Sequence, residues 1–242
     1  MIAENPPTVL VVDDDADNCQ SLTDILTDLG YRVDTAADGL AGLTKVQAQP
    51  YDIALLDYKM PGMSGLELYH QIRQLRSGTV AILVSAYTDP ATRDAALGAG
   101  VWRVLPKPVD LSRLLALVSE AVGQPLVLIV DDDPDLCASL WDILRQRGYR
   151  VCLAGDAKTA ADRLKDCSYK VVLVDLRLPD ADGTAVIRAA REITPMARAV
   201  VITGLPEAEP LVQESMLESV DAIYYKPLDI ARLLESLDRL AR

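Results

Sequence analysis

One pattern of polar residues occurs twice in the 242-residue chain, and the second copy follows the first by about 118 positions. The pattern consists of an acidic run, a single Asp and a Pro four residues after it, a hydroxyl residue ending an apolar run, and a Lys-Pro pair. The first copy has Asp13–Asp15, Asp57, Pro61, Ser85 and Lys107-Pro108, and the second has Asp131–Asp133, Asp175, Pro179, Thr203 and Lys226-Pro227. A repeat of this length indicates two copies of one domain.

The repeat predicts the domain organisation. We expect one domain at residues 1–122, a short linker at 123–125 and a second domain at 126–242. Each domain is long enough to bury its own hydrophobic core. Half of the residues are hydrophobic and Phe is absent, so the predicted cores are mainly aliphatic.

Short apolar runs alternate with segments of helical periodicity. The runs are too apolar for half-exposed strands and are typical of parallel strands buried on both faces. Five strand–helix units in each copy predict an α/β chain with two tandem doubly wound domains. The predicted strands are Val9–Val12, Arg32–Thr35, Ile53–Leu56, Val80–Val84, Trp102–Leu105, Val127–Val130, Arg150–Leu153, Val171–Val174, Ala199–Ile202 and Ala222–Tyr225.

Residues at the ends of the helical segments support this assignment. Asp133 and Pro134 have the order expected of an N-cap followed by the first helical position, and Asp15 is the corresponding cap in the first copy. Gly30 and Gly148 follow the first helix of each copy, where glycine commonly ends a helix.

The charge of the chain argues against several classes of partner. The net charge is −12, of which −7 belongs to residues 1–122 and −5 to the rest. Two acidic halves predict no direct binding to nucleic acid or to an anionic membrane surface. The apolar runs are too short to span a bilayer, and no signal peptide is visible at the N-terminus.

The four cysteines show no metal-binding or redox motif. Cys19, Cys137, Cys152 and Cys167 have no CxxC spacing and no cluster of histidines around them. We therefore predict that they pack in a reduced, cytoplasmic protein.

The repeated polar residues are expected to meet at one edge of each sheet. Ligands bind beyond the carboxyl ends of the strands in open α/β sheets, and Asp14, Asp57 and Ser85 follow or end predicted strands. Carboxylates packed together repel one another without a cation, and oxygen-only ligands favour Mg²⁺ or Mn²⁺. A carboxylate beside such a metal can attack a phosphoryl group, whose oxygens are then neutralised by the metal, a Lys and a hydroxyl.

Longer motifs around these residues carry a family resemblance. Val-Val-Asp-Asp at 11–14, Leu-Leu-Asp-Tyr-Lys-Met-Pro-Gly-Met-Ser-Gly at 55–65 and Leu-Pro-Lys-Pro at 105–108 resemble the receiver domain of two-component response regulators. So do Ile-Val-Asp-Asp at 129–132, Val-Asp-Leu-Arg-Leu-Pro-Asp-Ala-Asp-Gly at 174–183 and Tyr-Lys-Pro at 225–227. Together they cover nearly the whole chain. The resemblance implies two flavodoxin-like (βα)5 domains with strand order 2-1-3-4-5.

The resemblance also implies a role for each site residue. The phosphoacceptors would be Asp57 and Asp175. The metal ligands would be Asp13, Asp14, Asp57 and the backbone carbonyl of Lys59 in the first copy, and Asp131, Asp132, Asp175 and the backbone carbonyl of Arg177 in the second. The phosphoryl group would be bound by Ser85, Lys107, Thr203 and Lys226.

The chain departs from the family pattern at three places. The position of the usual aromatic switch residue is Val104 in one copy and Ile223 in the other. Two residues after each hydroxyl stand the bulky Tyr87 and Leu205, which could shield an acyl phosphate from water. The second copy also replaces the small-residue pattern of residues 96–100, so we expect a non-standard fourth helix and following turn there.

Other functions explain fewer of these residues. Asp13-x-Asp15-x-Asp17 resembles a calcium loop, but the sixth position lacks Gly, the twelfth lacks Glu, and the run follows a strand. A phosphatase of the haloacid dehalogenase type could begin with Asp13-x-Asp15, but it leaves Asp57, Lys107 and the duplication unexplained. Neither copy has lost a position that a working receiver needs.

The predicted function is therefore that of a phosphoacceptor signalling protein and not of an enzyme. It would take phosphoryl groups from a sensor histidine kinase or a histidine phosphotransfer protein, and it would act through a downstream protein partner, a homodimer or a phosphorelay. Two alternatives remain. One domain could be a non-phosphorylated docking or dimerisation module, or the chain could be the receiver part of a larger hybrid kinase or cyclase.

Overall fold

The chain divides into two compact units, Met1–Gly123 and Gln124–Arg242. A computed structural model describes residues 6–86 and 90–241. The predicted linker at 123–125 contains this division: the last helix of the first unit ends at Gly123, and the first strand of the second begins at Leu126.

Five strands alternate with five helices in each unit. Unit 1 consists of β1 (Thr8–Val12), α1 (Ala16–Asp28), β2 (Arg32–Ala36), α2 (Gly39–Ala48), β3 (Ile53–Asp57), α3 (Gly65–Leu75), β4 (Val80–Ser85), α4 (Pro90–Gly98), β5 (Arg103–Pro106) and α5 (Leu111–Gly123). Unit 2 consists of β6 (Leu126–Val130), α6 (Pro134–Gln146), β7 (Arg150–Ala154), α7 (Ala157–Asp166), β8 (Val171–Val174), α8 (Gly183–Ile193), β9 (Arg198–Thr203), α9 (Pro210–Leu217), β10 (Ala222–Tyr225) and α10 (Ile230–Leu240).

Each unit is built on one parallel sheet of five strands. The order is β2-β1-β3-β4-β5 in unit 1 and β7-β6-β8-β9-β10 in unit 2. The prediction of two doubly wound α/β domains with strand order 2-1-3-4-5 is therefore confirmed. All residues of the central strands β3, β4, β6 and β8 are buried, as parallel strands covered by helices on both faces require.

Two hydrophobic clusters fill each unit, one on each face of its sheet. Alternate residues of a strand contribute to opposite clusters: Leu10 and Val12 belong to one and Val9 and Val11 to the other. Branched aliphatic side chains dominate both cores, and the largest fully buried side chain is Trp141. The predicted aliphatic cores are observed.

The first helix of each unit begins at an aspartate cap. Asp15 accepts hydrogen bonds from the backbone N–H groups of Asp17 and Asn18, and Asp133 does the same in unit 2. Gly30 and Gly148 follow these helices with φ of +89° and +82°, a left-handed conformation that glycine adopts without steric cost. Both caps and both glycines have the predicted places.

The third helix of each unit begins against the backbone of the strand before it. A Cβ atom at Gly65 would collide with the carbonyl oxygen of Asp57, and one at Gly183 would collide with that of Asp175. The absence of a side chain at these two positions therefore lets the helix start close to the strand end that carries the aspartate.

The turn after the fourth helix differs between the two units. The turn after α4 contains Gly100 with φ of +97°, whereas the turn after α9 contains Ser219 with φ of +58°. A non-glycine residue in this region costs roughly 1 kcal/mol. The Arg191 guanidinium donates to the carbonyl of Ser219 at 2.8 Å, which holds the turn. The prediction of an altered turn in the second copy is confirmed by this geometry.

We expect Gly65→Ala to destabilise unit 1 by about 3 kcal/mol, because the added methyl group meets backbone that cannot move aside. Gly98→Ala is the matched control, since a Cβ there meets nothing within 4 Å and alanine favours the helix. Urea unfolding would be followed by Trp102 fluorescence in a Trp141→Phe background, so that unit 1 alone is reported. Equal midpoints for the two variants would contradict the proposed close approach.

Candidate functional site

The carboxyl ends of the strands bring the repeated polar residues together in each unit. In unit 1, Asp13 follows β1 directly, Asp57 ends β3 and Ser85 ends β4. Lys107 follows β5, and its backbone N–H donates to the carbonyl of Ser85 at 2.8 Å. Because neighbouring strands are parallel and in register, these residues lie at a single edge of the sheet.

In unit 1 the Lys107 ammonium lies between two carboxylates. Its Nζ is 2.9 Å from Asp57 Oδ2 and 3.2 Å from Asp13 Oδ2. The two acidic residues are each 7% exposed, whereas Asp14 is exposed to solvent. The site thus has a buried floor and one carboxylate at its mouth.

Unit 2 repeats this arrangement with shorter distances and deeper burial. Lys226 Nζ lies 2.7 Å from both Asp131 Oδ2 and Asp175 Oδ2. Asp131 is 1% exposed, Asp132 is exposed, and Thr203 is fully buried. The Thr203 hydroxyl oxygen accepts a hydrogen bond from the backbone N–H of Leu205 at 3.1 Å, so its own proton is available for another acceptor.

Backbone N–H groups orient the buried carboxylate in both units. Asp13 Oδ1 accepts from the N–H of Asp15 at 2.9 Å, and Asp131 Oδ1 accepts from that of Asp133 at 3.0 Å. In each case the other oxygen, Oδ2, is the one that contacts the lysine. The carboxylate therefore has a fixed orientation before any ligand binds.

Each site has a donor set that fits a divalent cation. Carboxylate oxygens of Asp13, Asp14 and Asp57 lie within 4.8 Å of one another, as do those of Asp131, Asp132 and Asp175. Three ionised carboxylates against one ammonium leave an excess of negative charge, and hard oxygen ligands favour Mg²⁺ or Mn²⁺. Lys59 and Arg177 have exposed side chains, and the part predicted for their backbone carbonyls stays a prediction.

The lysines are held in their charged form. Burial works to lower the pKa of Lys226, but hydrogen bonds to Asp131 and Asp175 outweigh it, so this pKa lies above its usual value. The pKa of Lys107 is raised in the same way by Asp57 and Asp13. The stabilisation that each lysine contributes is complete below the ordinary lysine pKa and is lost as the pH rises through the raised one.

In unit 2 the Lys226 ammonium does not fully offset the burial of the Asp131 carboxylate. Burial raises the pKa of Asp131 above its ordinary value, although Lys226 and the N–H of Asp133 act to lower it. The folded unit thus holds this proton to higher pH than the unfolded chain does. Ionisation of Asp131 costs stability above that pKa, and the cost disappears as the pH falls through it.

Asp180 joins two segments of unit 2, a role that its sequence context did not predict. Its carboxylate accepts hydrogen bonds from the backbone N–H groups of Ala157 and Lys158, at 2.9 and 3.0 Å. These bonds lower the pKa of Asp180 and fasten the loop after Asp175 to the N-terminus of α7. The equivalent residue of unit 1 is Gly62, so comparison of the two copies could have drawn attention to the difference.

A second contact crosses the same loop of unit 2. The guanidinium of Arg177, two residues after Asp175, lies 3.9 Å from the Glu209 carboxylate. Glu209 is the N-cap residue of α9. The Arg177 side chain is 71% exposed and the Glu209 side chain 38%, so this solvent-accessible contact adds little to stability.

Three of the four residues that depart from the family pattern lie in described parts of the chain, and all three contact the hydrophobic cores. Val104 and Ile223 are half-buried and pack against the cores of their units. Leu205 is 5% exposed and belongs to the core cluster that includes Val212, so its contact is with the interior. The predicted shielding by Tyr87 concerns a residue outside the described ranges.

Two of the cysteines lie beneath the sites. The thiols of Cys19 and Cys137 donate to the backbone carbonyls of Asp13 and Asp131, at 3.4 and 3.3 Å. Burial raises the pKa of Cys137 to about 12. A buried thiol with so high a pKa is unreactive, which agrees with the predicted packing role.

Comparison with known proteins identifies the same two regions. A family model described as the response regulator receiver domain matches residues 9–119 and again residues 127–238. Among the helices of the described ranges, none is long and apolar enough to cross a membrane.

Individual relatives show the same likeness over different shares of their length. A response regulator receiver protein from Anaeromyxobacter is 36% identical, and the match covers 96% of this chain and 94% of that protein. The sensor histidine kinase GacS of Pseudomonas protegens is 30% identical over 99% of this chain, which spans 27% of the kinase. A solved CheY-like receiver domain protein from Methanospirillum hungatei is 34% identical, with a TM-score of 0.47 over 48% of this chain and 93% of that one.

We expect Lys226→Ala to destabilise unit 2 by about 3 kcal/mol at neutral pH, because two buried carboxylates lose their shared cation. Lys165→Ala is the control, since its pair with Asp162 has both side chains 65% exposed and is worth less than about 1 kcal/mol. The measurement is urea unfolding reported by Trp141 in a Trp102→Phe background.

The pH dependence of the stability difference between Lys226→Ala and the parent protein shows whether lost charge causes it. Protonated carboxyl groups need no counter-ion, so the loss caused by Lys226→Ala should shrink as the pH falls through the pKa of Asp131. Addition of Mg²⁺ should also stabilise this variant more than the parent protein. A loss that is unchanged by both pH and Mg²⁺ would show that Lys226 acts through packing alone.

Proposed function

Because the chain belongs to the response regulator receiver family, with one receiver domain in each unit, we propose that Asp57 and Asp175 both accept phosphoryl groups from phosphohistidine. The donor would be a sensor histidine kinase or a histidine phosphotransfer protein. The observation that carries this proposal is the duplicated site itself. In each unit the acceptor carboxylate is buried and ion-paired with a lysine that also contacts a second acidic residue.

The geometry supports transfer to the aspartate in a direct way. An oxygen of Asp57 attacks phosphorus, the bond from phosphorus to the donor imidazole nitrogen breaks, and the imidazole leaves with the bonding electron pair. Lys107, which is 2.9 Å from Asp57, can turn its ammonium from the carboxylate to a phosphoryl oxygen. The Ser85 hydroxyl ends the neighbouring strand and can donate to another phosphoryl oxygen. In unit 2, Lys226 would contact the phosphoryl group as Lys107 does in unit 1, and Thr203 would donate to it as Ser85 does.

The acidic clusters fit a divalent cation in the same reaction. Asp13, Asp14 and Asp57, or their counterparts in unit 2, would hold Mg²⁺ or Mn²⁺, which would supply positive charge to offset the charge of the carboxylates and the incoming phosphoryl group. The carboxylates are also close enough to repel one another, so a bound cation relieves a strain that the lysine alone leaves in place.

Under this proposal the chain is a phosphoacceptor and not an enzyme that turns over a separate substrate. Its output would be contact with a downstream protein, pairing with a second copy, or transfer of phosphate along a relay in the cytoplasm. The acidic charge of both halves favours protein partners over nucleic acid.

A second candidate has a specific observation in its favour. The similarity to GacS covers nearly all of this chain and about a quarter of a sensor histidine kinase. The two units could therefore serve as the receiver part of a hybrid kinase. Both candidates require phosphorylatable aspartates, and they differ in whether the donor histidine belongs to the same polypeptide.

We expect the protein to gain two phosphoryl groups when it is incubated with Mg²⁺ and acetyl phosphate. Asp57→Asn and Asp175→Asn should each gain one, and the double variant none, because asparagine lacks the nucleophilic oxygen anion. Intact mass spectrometry measures each state directly. Asp162→Asn is the control, since this exposed carboxylate lies in a surface ion pair and should leave the count at two.

Two other results would change the proposal. One phosphoryl group in the parent protein, lost in only one of the single variants, would make the silent unit a docking module. Full labelling in the presence of EDTA would contradict the part assigned to the cation. We expect chelation to abolish labelling of both units, because each cluster needs the added positive charge.

A further inference from the structure

Three side chains of unit 1 form a hydrogen-bonded triad between β2 and the end of α2. The Tyr51 hydroxyl donates to Asp34 Oδ2 at 2.8 Å, and the Gln49 side-chain amide lies 2.6 Å from Asp34 Oδ2 and 2.7 Å from the Tyr51 oxygen. Tyr51 is 3% exposed, so the triad satisfies a buried hydroxyl. Each of the three positions is filled by a polar group that meets the other two.

The same three positions of unit 2 carry two cysteines and a tyrosine. The residues 118 positions later are Cys152 on β7, Cys167 as the C-cap of α7, and Tyr169. All three belong to or pack against one core cluster, and both cysteines are reduced. The polar partners of the tyrosine have therefore been replaced by two thiols at positions whose side chains meet in unit 1.

The hydroxyl of Tyr169 is buried without a strong hydrogen bond. The residue is 3% exposed, and within the described part of the chain its oxygen has no hydrogen-bond partner other than the Cys152 thiol. The Cys152 thiol lies beside it, but a thiol is a weak donor and acceptor and does not replace a carboxylate. The pKa of Tyr169 lies well above its ordinary value, mainly because the residue is buried and also because Cys152 and Cys167 are nearby.

A buried hydroxyl without a strong partner is costly, so this cluster is less favourable for stability than the triad of unit 1. Packing alone does not explain it, since Cys19 and Cys137 show how the chain accommodates a structural cysteine. Neither of those two has a second cysteine in its cluster. Cys152 and Cys167 share a cluster, and Cys167 is partly exposed.

We propose that Cys152 and Cys167 form an oxidation site in unit 2, at which a hydroperoxide converts the two thiols to an intramolecular disulfide. The partly exposed Cys167 reacts first. Its sulfur attacks one peroxide oxygen, the O–O bond breaks, and the products with hydrogen peroxide are a sulfenic acid and water. The oxygen of the sulfenic acid can then accept a hydrogen bond from the Tyr169 hydroxyl.

The second step closes the disulfide. The sulfur of Cys152 attacks the sulfur of Cys167, the S–O bond breaks, and the oxygen leaves as water with the thiol proton of Cys152. Two thiols and one hydrogen peroxide thus give one disulfide and two waters. Cys167 stands just after the helix in an extended conformation, with φ of −143° and ψ of 153°, so this short segment can move toward β7 without breaking α7.

The test uses the whole protein and hydrogen peroxide as the oxidant. Reduced protein is treated with peroxide, denatured in N-ethylmaleimide and digested with trypsin. We expect residues 151–158 and 166–170, which are separate tryptic peptides, to appear joined through Cys152 and Cys167. The two thiols should be lost at least about tenfold faster than Cys19 and Cys137, because buried thiols without thiolate character resist oxidation. Dithiothreitol should restore all four thiols.

Unit 1 supplies the matched variant. Cys152→Asp with Cys167→Gln rebuilds the triad that accommodates Tyr51, so this variant should fold and retain both of its remaining thiols after peroxide. Four thiols still present in the treated parent protein would overturn the proposal. Equal loss of all four would overturn it as well, as would cross-links that join Cys152 or Cys167 to other cysteines. Phosphorylation of Asp175 enters none of these measurements.

Discussion

Each unit is organised around a shortage of positive charge at the carboxyl edge of its sheet. Three carboxylates converge there because parallel strands in register end at the same edge, and one lysine lies between the two that are buried. In unit 2, burial raises the pKa of Asp131 although Lys226 acts to lower it, so the lysine does not fully compensate the burial there. The close start of the third helix, the aspartate caps and the backbone N–H groups all hold the carboxylates in place, and the unbalanced charge makes the edge a binding site.

Much of the fold follows from the sequence because its strongest signals are local. Buried Val-rich runs identify the ten strands to within about one or two residues, and cap residues such as Asp133 identify helix starts. The first helix of each unit begins directly after its predicted aspartate cap, at Ala16 and at Pro134. The site was predicted from strand ends, which the parallel sheet brings together without further information from the loops.

Contacts between distant polar residues were not predictable in this way. No local pattern shows that Asp180 meets the N-terminus of α7, or that Arg191 holds the turn at Ser219. Both depend on how loops from different strands come together. Comparison of the copies is the best guide to such features. Three such differences stand out in an otherwise repeated plan: Gly62 against Asp180, Gly100 against Ser219, and two members of the polar triad against two cysteines.

The lysine between the buried carboxylates has a consequence for which ions can enter. A tethered cation is present at its site at a local concentration set by the length of one side chain. Sodium or potassium ions would bring only the same single charge without the tether. A divalent ion would bring the second charge that the carboxylates still lack. Lys107 and Lys226 thus leave at each site a deficit of positive charge that favours a divalent over a monovalent ion.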